Sequence, residues 1–249
     1  MSGHSHWAGI KHKKAANDAK RGRLWSKLAR AVIVAAKSGG GDPSANLSLR
    51  YAIDKAKEAN MPKDTIEKAI KKGTGDLEGV SFVQILYEGY APGGVAIMVD
   101  ALTDNRNRTA PEIKRIFEKR GGSLGAIGCV NWMFEKKGLI TVDVVDVDEN
   151  TLMEIALGSG ADDMQTVGDI YEITCESEAY QGLKSAIDES GIKTQIAEIS
   201  MVPQNTVSID DEEVAKKILT LMEDLEDHED VQEVYANFDI AENILKSLG

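Results

Sequence analysis

Apolar residues recur at helical spacing near the start of the chain and at strand spacing further on. Leu24, Trp25, Leu28, Val32 and Ala35 fall three and four residues apart, which predicts a helix from about Ala16 to Lys37 with one apolar face. Gly39-Gly40-Gly41-Asp42-Pro43 ends it. A second helix is expected from about Ser44 to Ala59, with Leu49, Ala52, Ile53 and Ala56 inward. Met61-Pro62 breaks it. Asp64 is expected to cap a short third helix, with Glu67 completing a capping-box-like pattern. Three amphipathic helices with short loops make a small α domain.

From Gly75 the texture changes. Val80–Tyr87 and Val95–Leu102 read as strands joined by a turn-rich segment, and Thr109–Arg120 reads as a helix with Thr109 able to cap it. Val130–Val145 supplies strand material around an expected turn at Lys136-Lys137-Gly138. A helix (Glu149–Leu157), a strand (Ile170–Cys175), a helix (Ala179–Ser190) and a strand (Gln195–Val202) follow. The remainder predicts a helix (Asp211–Leu225), a strand (Gln232–Phe238) and a short helical tail.

Residues 132–203 therefore read β–α–β–α–β, a small α+β unit with a split βαβ arrangement. Residues 79–131 and 206–249 are incomplete halves, and neither buries a sheet alone. The expected organisation is a helical domain (1–78), an α+β domain (79–131 with 206–249) and an inserted α+β domain (132–205). One continuous α/β unit is the next-best solution.

Charge sharpens this division. The chain of 249 residues carries a formal net charge of -12. Residues 1–40 nevertheless hold nine Lys or Arg and one acid, Asp18. Residues 1–75 hold 16 basic and 6 acidic residues, and the rest holds 13 and 35. A basic end on an acidic body is a footprint for a polyanion, most often nucleic acid. Lys13, Lys20 and Lys27 are seven apart, as are Arg23, Arg30 and Lys37, so the predicted helix carries a basic stripe roughly opposite the Trp25 face. The candidate phosphate contacts are Lys11, His12, Lys13, Lys14, Lys20, Arg21, Arg23, Lys27 and Arg30. A solvated helix face is the bland alternative, but such faces mix both signs and this one does not. Trp7 fits packing on the helices better than stacking on a base.

Other constellations add less. Asn105-Arg106-Asn107-Arg108-Thr109 follows a strand and precedes a helix, so Arg106 and Arg108 are further candidates for phosphate or RNA, or simply part of a cap and turn. His4, His6 and His12 lack a nearby Cys or carboxylate, so no metal is expected. Cys129 and Cys175 form no CxxC pattern, which speaks against a disulfide framework or zinc site and fits a reducing cytosol. The acidic run Glu223–Glu233 reads as a solvated helix end, with contact to a basic partner as the sharper alternative. No GxSxG, HExxH or Cys–His arrangement supports catalysis. The chain thus reads as a non-enzyme without cofactor or small-molecule substrate. It also shows no membrane-spanning stretch and no signal-peptide pattern, and the expected location is the cytoplasm.

Several segments together resemble the YebC/PmpR family, which includes a mitochondrial translational activator. They are GHSHWAGIKHKKAANDAKRG (3–22), AAKSGGGDPSAN (35–46), NMPKDTIEKAIKKGTG (60–75), YEGYAPGG (87–94), LTDNRNRT (102–109), AEISMVPQ (197–204) and DVQEVYAN (230–237). His6 stands where that family usually has Lys. The resemblance implies three domains: one helical, and two α+β domains of ferredoxin-like, split βαβ form, one inserted in the other. It implies a transcriptional regulator that binds promoter DNA. The alternative it implies is a translation factor at the ribosome, binding ribosomal or transfer RNA and relieving stalling on proline-rich sequences. It brings no catalytic residues. No helix-turn-helix or zinc finger is evident for reading a major groove, which favours recognition of shape or backbone.

Overall fold

The computed structural model describes residues 18–78, 81–241 and 244, with side chains from residue 22 onward. The chain begins there with α1 (Asp18–Gly39), α2 (Leu47–Glu58) and α3 (Lys63–Thr74). Val32, Ala36, Leu49, Ile53, Ala56, Met61, Ile66 and Ala69 close a core between them. Trp25 lies against this core, and its indole N–H donates to the Ala59 carbonyl at 2.9 Å. Leu24, expected on the apolar face, is largely exposed. At Gly73 a Cβ would sit 2.5 Å from the Ile33 carbonyl oxygen, so α3 can cross α1 this closely only with glycine there.

Two helix starts differ from the expectation. α2 begins at Leu47 because Asp42 accepts from the Ser44 N–H and hydroxyl, holding 42–45 in a turn. Asn46 then caps α2 by accepting from Leu49 N–H, while its amide donates to Ala35 and Gly40 carbonyls at 2.8 Å each. One side chain thereby ends α1 and starts α2. α3 begins after Pro62 with no side-chain cap, so Asp64 lies inside the helix as a first-turn acid.

The rest of the chain runs β1 (Val83–Tyr90), β2 (Ala96–Thr103), α4 (Arg106–Lys119), β3 (Ser123–Leu124), β4 (Phe134–Asp143), α5 (Glu149–Gly158), β5 (Ala161–Val167), β6 (Ile170–Glu176) and α6 (Tyr180–Glu189). It finishes with β7 (Thr194–Pro203), β8 (Val207–Ile209), α7 (Glu212–Glu226), β9 (Val231–Ala236) and β10 (Phe238–Ile240). These strands form an antiparallel sheet in the order β3-β1-β2-β9, a second in the order β5-β6-β4-β7, and a parallel pair of β8 with β10. The protein is thus a three-helix domain followed by two α+β domains, with the β4–β7 unit inserted between β3 and β8.

Helices α4 and α7 cover one face of the first sheet, through Ile113, Phe117, Ile218, Leu221, Met222 and Leu225. On its other face Ala96 and Met98 pack with Val130 and Phe134, where the chain passes into the insertion. Both faces of β2 are therefore buried, which accounts for its apolar run, interrupted by Asp100 alone before Thr103. Asn105 caps α4 by accepting from Asn107 and Arg108 N–H. Thr109, a candidate for that position, is instead buried inside the helix.

The inserted unit is β–α–β–β–α–β, the ferredoxin-like order with β6 splitting the β4–α5–β5 unit. Two expectations change here. Lys136-Lys137-Gly138 is no turn, because β4 runs straight through and pairs with β6 and β7 on either side. Gly138 serves packing: a Cβ would lie 2.6 Å from Cys175 Sγ and 2.9 Å from Tyr180 Cβ. Strand β5, not expected from the sequence, is the polar, mostly exposed edge ADDMQTV. β8 and β10 were also unforeseen, each being only three residues long. Of the expected helical tail only Ile244 is described, and it is helical.

Candidate nucleic-acid interface

The aligned bases on α1 come from a 22-residue helix whose opposite side is tied to α2 and α3. Their placement is specific. Arg23 lies 3.9 Å from the Asp227 carboxylate. Lys27 Nζ donates to the Glu226 carbonyl. Arg30 donates to the Glu229 carbonyl at 2.7 Å and to Asp230 Oδ1 at 2.8 Å, and its guanidinium lies 5.4 Å from the centre of the Phe82 ring. Lys37 reaches the Ser81 hydroxyl at 2.6 Å. The stripe therefore faces the acidic segment that joins α7 to β9. That segment contacts a basic partner, as its sharper reading anticipated, and the partner is the chain's own first helix.

Asp230 is the centre of this contact. Its side chain is 2% exposed, yet it accepts from Arg30, from Arg108 at 2.8 Å and from the Thr109 hydroxyl at 2.7 Å. Burial alone would raise its pKa, but the hydrogen bonds from Arg108 and Thr109 outweigh that and hold it below the usual carboxylate range. Arg108, a candidate for phosphate or simply part of a cap and turn, divides itself between Asp104 and Asp230. Arg106 is exposed and has no ion pair among the described residues. Lys11, His12, Lys13 and Lys14, and the His4, His6, His12 group, lie outside the described residues, as do the side chains of Lys20 and Arg21.

A second junction lies on α2. Lys55 pairs with Glu198 of β7 at 2.7 Å and Glu233 of β9 at 3.3 Å, so one ammonium bridges all three domains. Burial would lower its pKa, but the Glu233 and Glu198 carboxylates outweigh that and raise it. Beside it Tyr51 meets Tyr180 edge-on, with ring centroids 6.0 Å apart. The helical domain is thus seated on the body largely by charge.

That domain also carries exposed cations that the sequence pattern does not bring forward. Lys68, Lys71 and Lys72 lie on the outer face of α3, opposite Ile66 and Ala69. Spacings of three and four residues put them side by side. They are exposed, without an ion pair among the described residues. Their signal in the sequence is the run KAIKKG, which is short and lies outside the seven-residue stripe of α1.

Neither cysteine is poised as a nucleophile. Burial pushes the Cys175 thiol up to about 11, and burial likewise raises Cys129, so neither forms a ready thiolate. Glu88 is buried, but it accepts N–H groups from Gly128, Val130 and Asn131 at 2.7–2.8 Å. That set holds its pKa down against burial and fastens the loop leading into the insertion. Among the described residues no group of His, Cys, Asp and Glu could hold a metal ion, and no helix is long and apolar enough to cross a membrane.

Known proteins with these features form a consistent set. Residues 5–76 match the family described as the TACO1/YebC protein N-terminal domain, and residues 82–238 match the TACO1/YebC second and third domain. A "Probable transcriptional regulatory protein" of Dictyoglomus thermophilum is 55% identical over the full length of both chains. One of Geobacter sulfurreducens is 52% identical, again over the full length of both. The crystal structure of a conserved hypothetical protein from Aquifex aeolicus is 51% identical, with a TM-score of 0.85 over 96% of this chain and 99% of that one. Sequence and architecture agree from the helical domain to β10, and the chain belongs to the TACO1/YebC family.

Proposed function

We propose that this chain is a non-enzymatic, cytoplasmic regulator of gene expression that binds nucleic acid, DNA first, through its basic helical domain. The observation that carries this is the segregation of charge onto one end of the chain. Residues 1–75 hold 16 bases against 6 acids, while the body is strongly acidic. Phosphate neutralisation supplies most of the affinity of a protein that reads backbone rather than bases. The names of its relatives describe transcriptional regulators, which agrees with this reading.

The test uses the full chain and a labelled mixed-sequence duplex. Replacing Lys11, Lys13 and Lys14 with Gln weakens binding and flattens its salt dependence by roughly 0.9 for each phosphate no longer neutralised. Unchanged affinity across the salt titration overturns the proposal. A ribosomal partner is the second reading. It is favoured by the α1 stripe lying against the body rather than standing free to enter a groove. A single-stranded or structured RNA of equal length, run beside the duplex, separates the two.

A further inference from the structure

The cations of α1 already hold anionic oxygens. Gly22, Arg23, Ser26 and Arg30 line a cleft of about 160 Å³ whose remaining wall is Glu229. Into and beside it the segment 226–230 offers two carbonyls, from Glu226 and Glu229, and three carboxylates, from Asp227, Glu229 and Asp230. Carboxylates and carbonyl oxygens thus follow one another along a turn of chain and face guanidinium and ammonium groups, donors that equally suit the oxygens of a phosphodiester backbone.

We infer that the face of α1 formed by Arg23, Lys27 and Arg30 is a backbone-phosphate site that the protein's own 226–230 segment occupies in this structure. The segment is a built-in competitor. Arg23 is partly open to solvent in this structure, but nucleic acid reaches all three cations together only when the helical domain lifts from the body. This rests on the nucleic-acid reading above and adds to it a closed state with lowered affinity.

Three observations carry the inference. First, the helical domain has its own core and could move as a unit. Second, ion pairs and charge-assisted hydrogen bonds fasten it: Arg23, Lys27 and Arg30 to 226–230, and Lys55 to Glu198 and Glu233, with Tyr51 against Tyr180 as an apolar contact. The ionic contacts weaken with salt and can be exchanged for phosphates. Third, Asp227 and Glu229 are well exposed and contribute little to either core. Their presence opposite α1 is explained by the cations they face.

A protein that binds only from its open state has an apparent Kd equal to its intrinsic Kd divided by the open fraction. The double variant Asp227→Asn with Glu229→Gln loosens the closed state and leaves every base intact. A control, Glu154→Gln with Glu178→Gln, changes net charge equally at exposed positions on the inserted domain. Labelled duplex and RNA are titrated against wild type, variant and control across a salt series. The inference expects the variant to bind roughly threefold to tenfold tighter than the control. It also expects a log-affinity against log-salt slope steeper by about 1 or more, since fewer ion pairs within the protein are exchanged for phosphates. A variant matching the control in affinity and slope overturns the inference while leaving the nucleic-acid reading intact. Absence of binding by all three proteins overturns that reading itself, and the inference with it.

Discussion

Asp230 joins α1, α4 and the start of β9 through one buried carboxylate. Replacing it with Ala strips an acceptor from Arg30, which is 18% exposed, and from the buried Thr109 hydroxyl. Removing one partner of such a cluster costs about 3 kcal/mol, to be read by urea denaturation. Its pH signature has a definite sign. A carboxylate whose pKa is lower folded than unfolded contributes stability that is complete above its unfolded value near 3.9 and is lost as pH falls through its folded value. Wild-type stability therefore falls in strong acid, and in Asp230→Asn that part of the fall is missing. Gly138→Ala puts a methyl against Cys175 and Tyr180 in a packed core and costs about 1–3 kcal/mol, visible as a lower Tm. Neither residue's role was legible in the sequence. Asp230 sits in an acidic run that looks solvated, and Gly138 follows two lysines in what looks like a turn. Their roles come from neighbours far away in the chain.

Among elements, the helices were legible, the short α3 included, and short or polar strands were not. α1, α2, α4, α5, α6 and α7 show in the apolar spacing, because each buries one stripe against a core. β5 escaped because an exposed edge strand needs no apolar alternation, and β8 and β10 because three residues carry no period. The basic stripe on α1 was legible as a stripe. What it faces was not, since that depends on how α7 and β9 bring their connection against it. The lysines of α3 are a separate basic surface that stays accessible with the domain seated. If that surface holds phosphates, Lys68→Gln, Lys71→Gln and Lys72→Gln together reduce the salt slope by about 2–3, as read by anisotropy of a labelled duplex. Folding is unaffected, because all three are on the solvent side. An unchanged slope assigns these lysines to solvation alone.

At the scale of the molecule the governing feature is the separation of charge, near +10 on residues 1–75 and -22 on the remainder. The acidic body does two things. It holds the basic domain through the α1 and Lys55 contacts, and its net negative charge disfavours polyanions on the body itself. On the proposed reading, nucleic acid docks in one orientation, with an affinity set by ionic strength. The measurement that tests this most directly is the affinity of the full chain for a labelled mixed-sequence oligonucleotide between about 50 and 200 mM salt. The account predicts a linear fall of log affinity with log salt, at a slope of about −4 or steeper. A flat line, or no binding at the lowest salt, contradicts it.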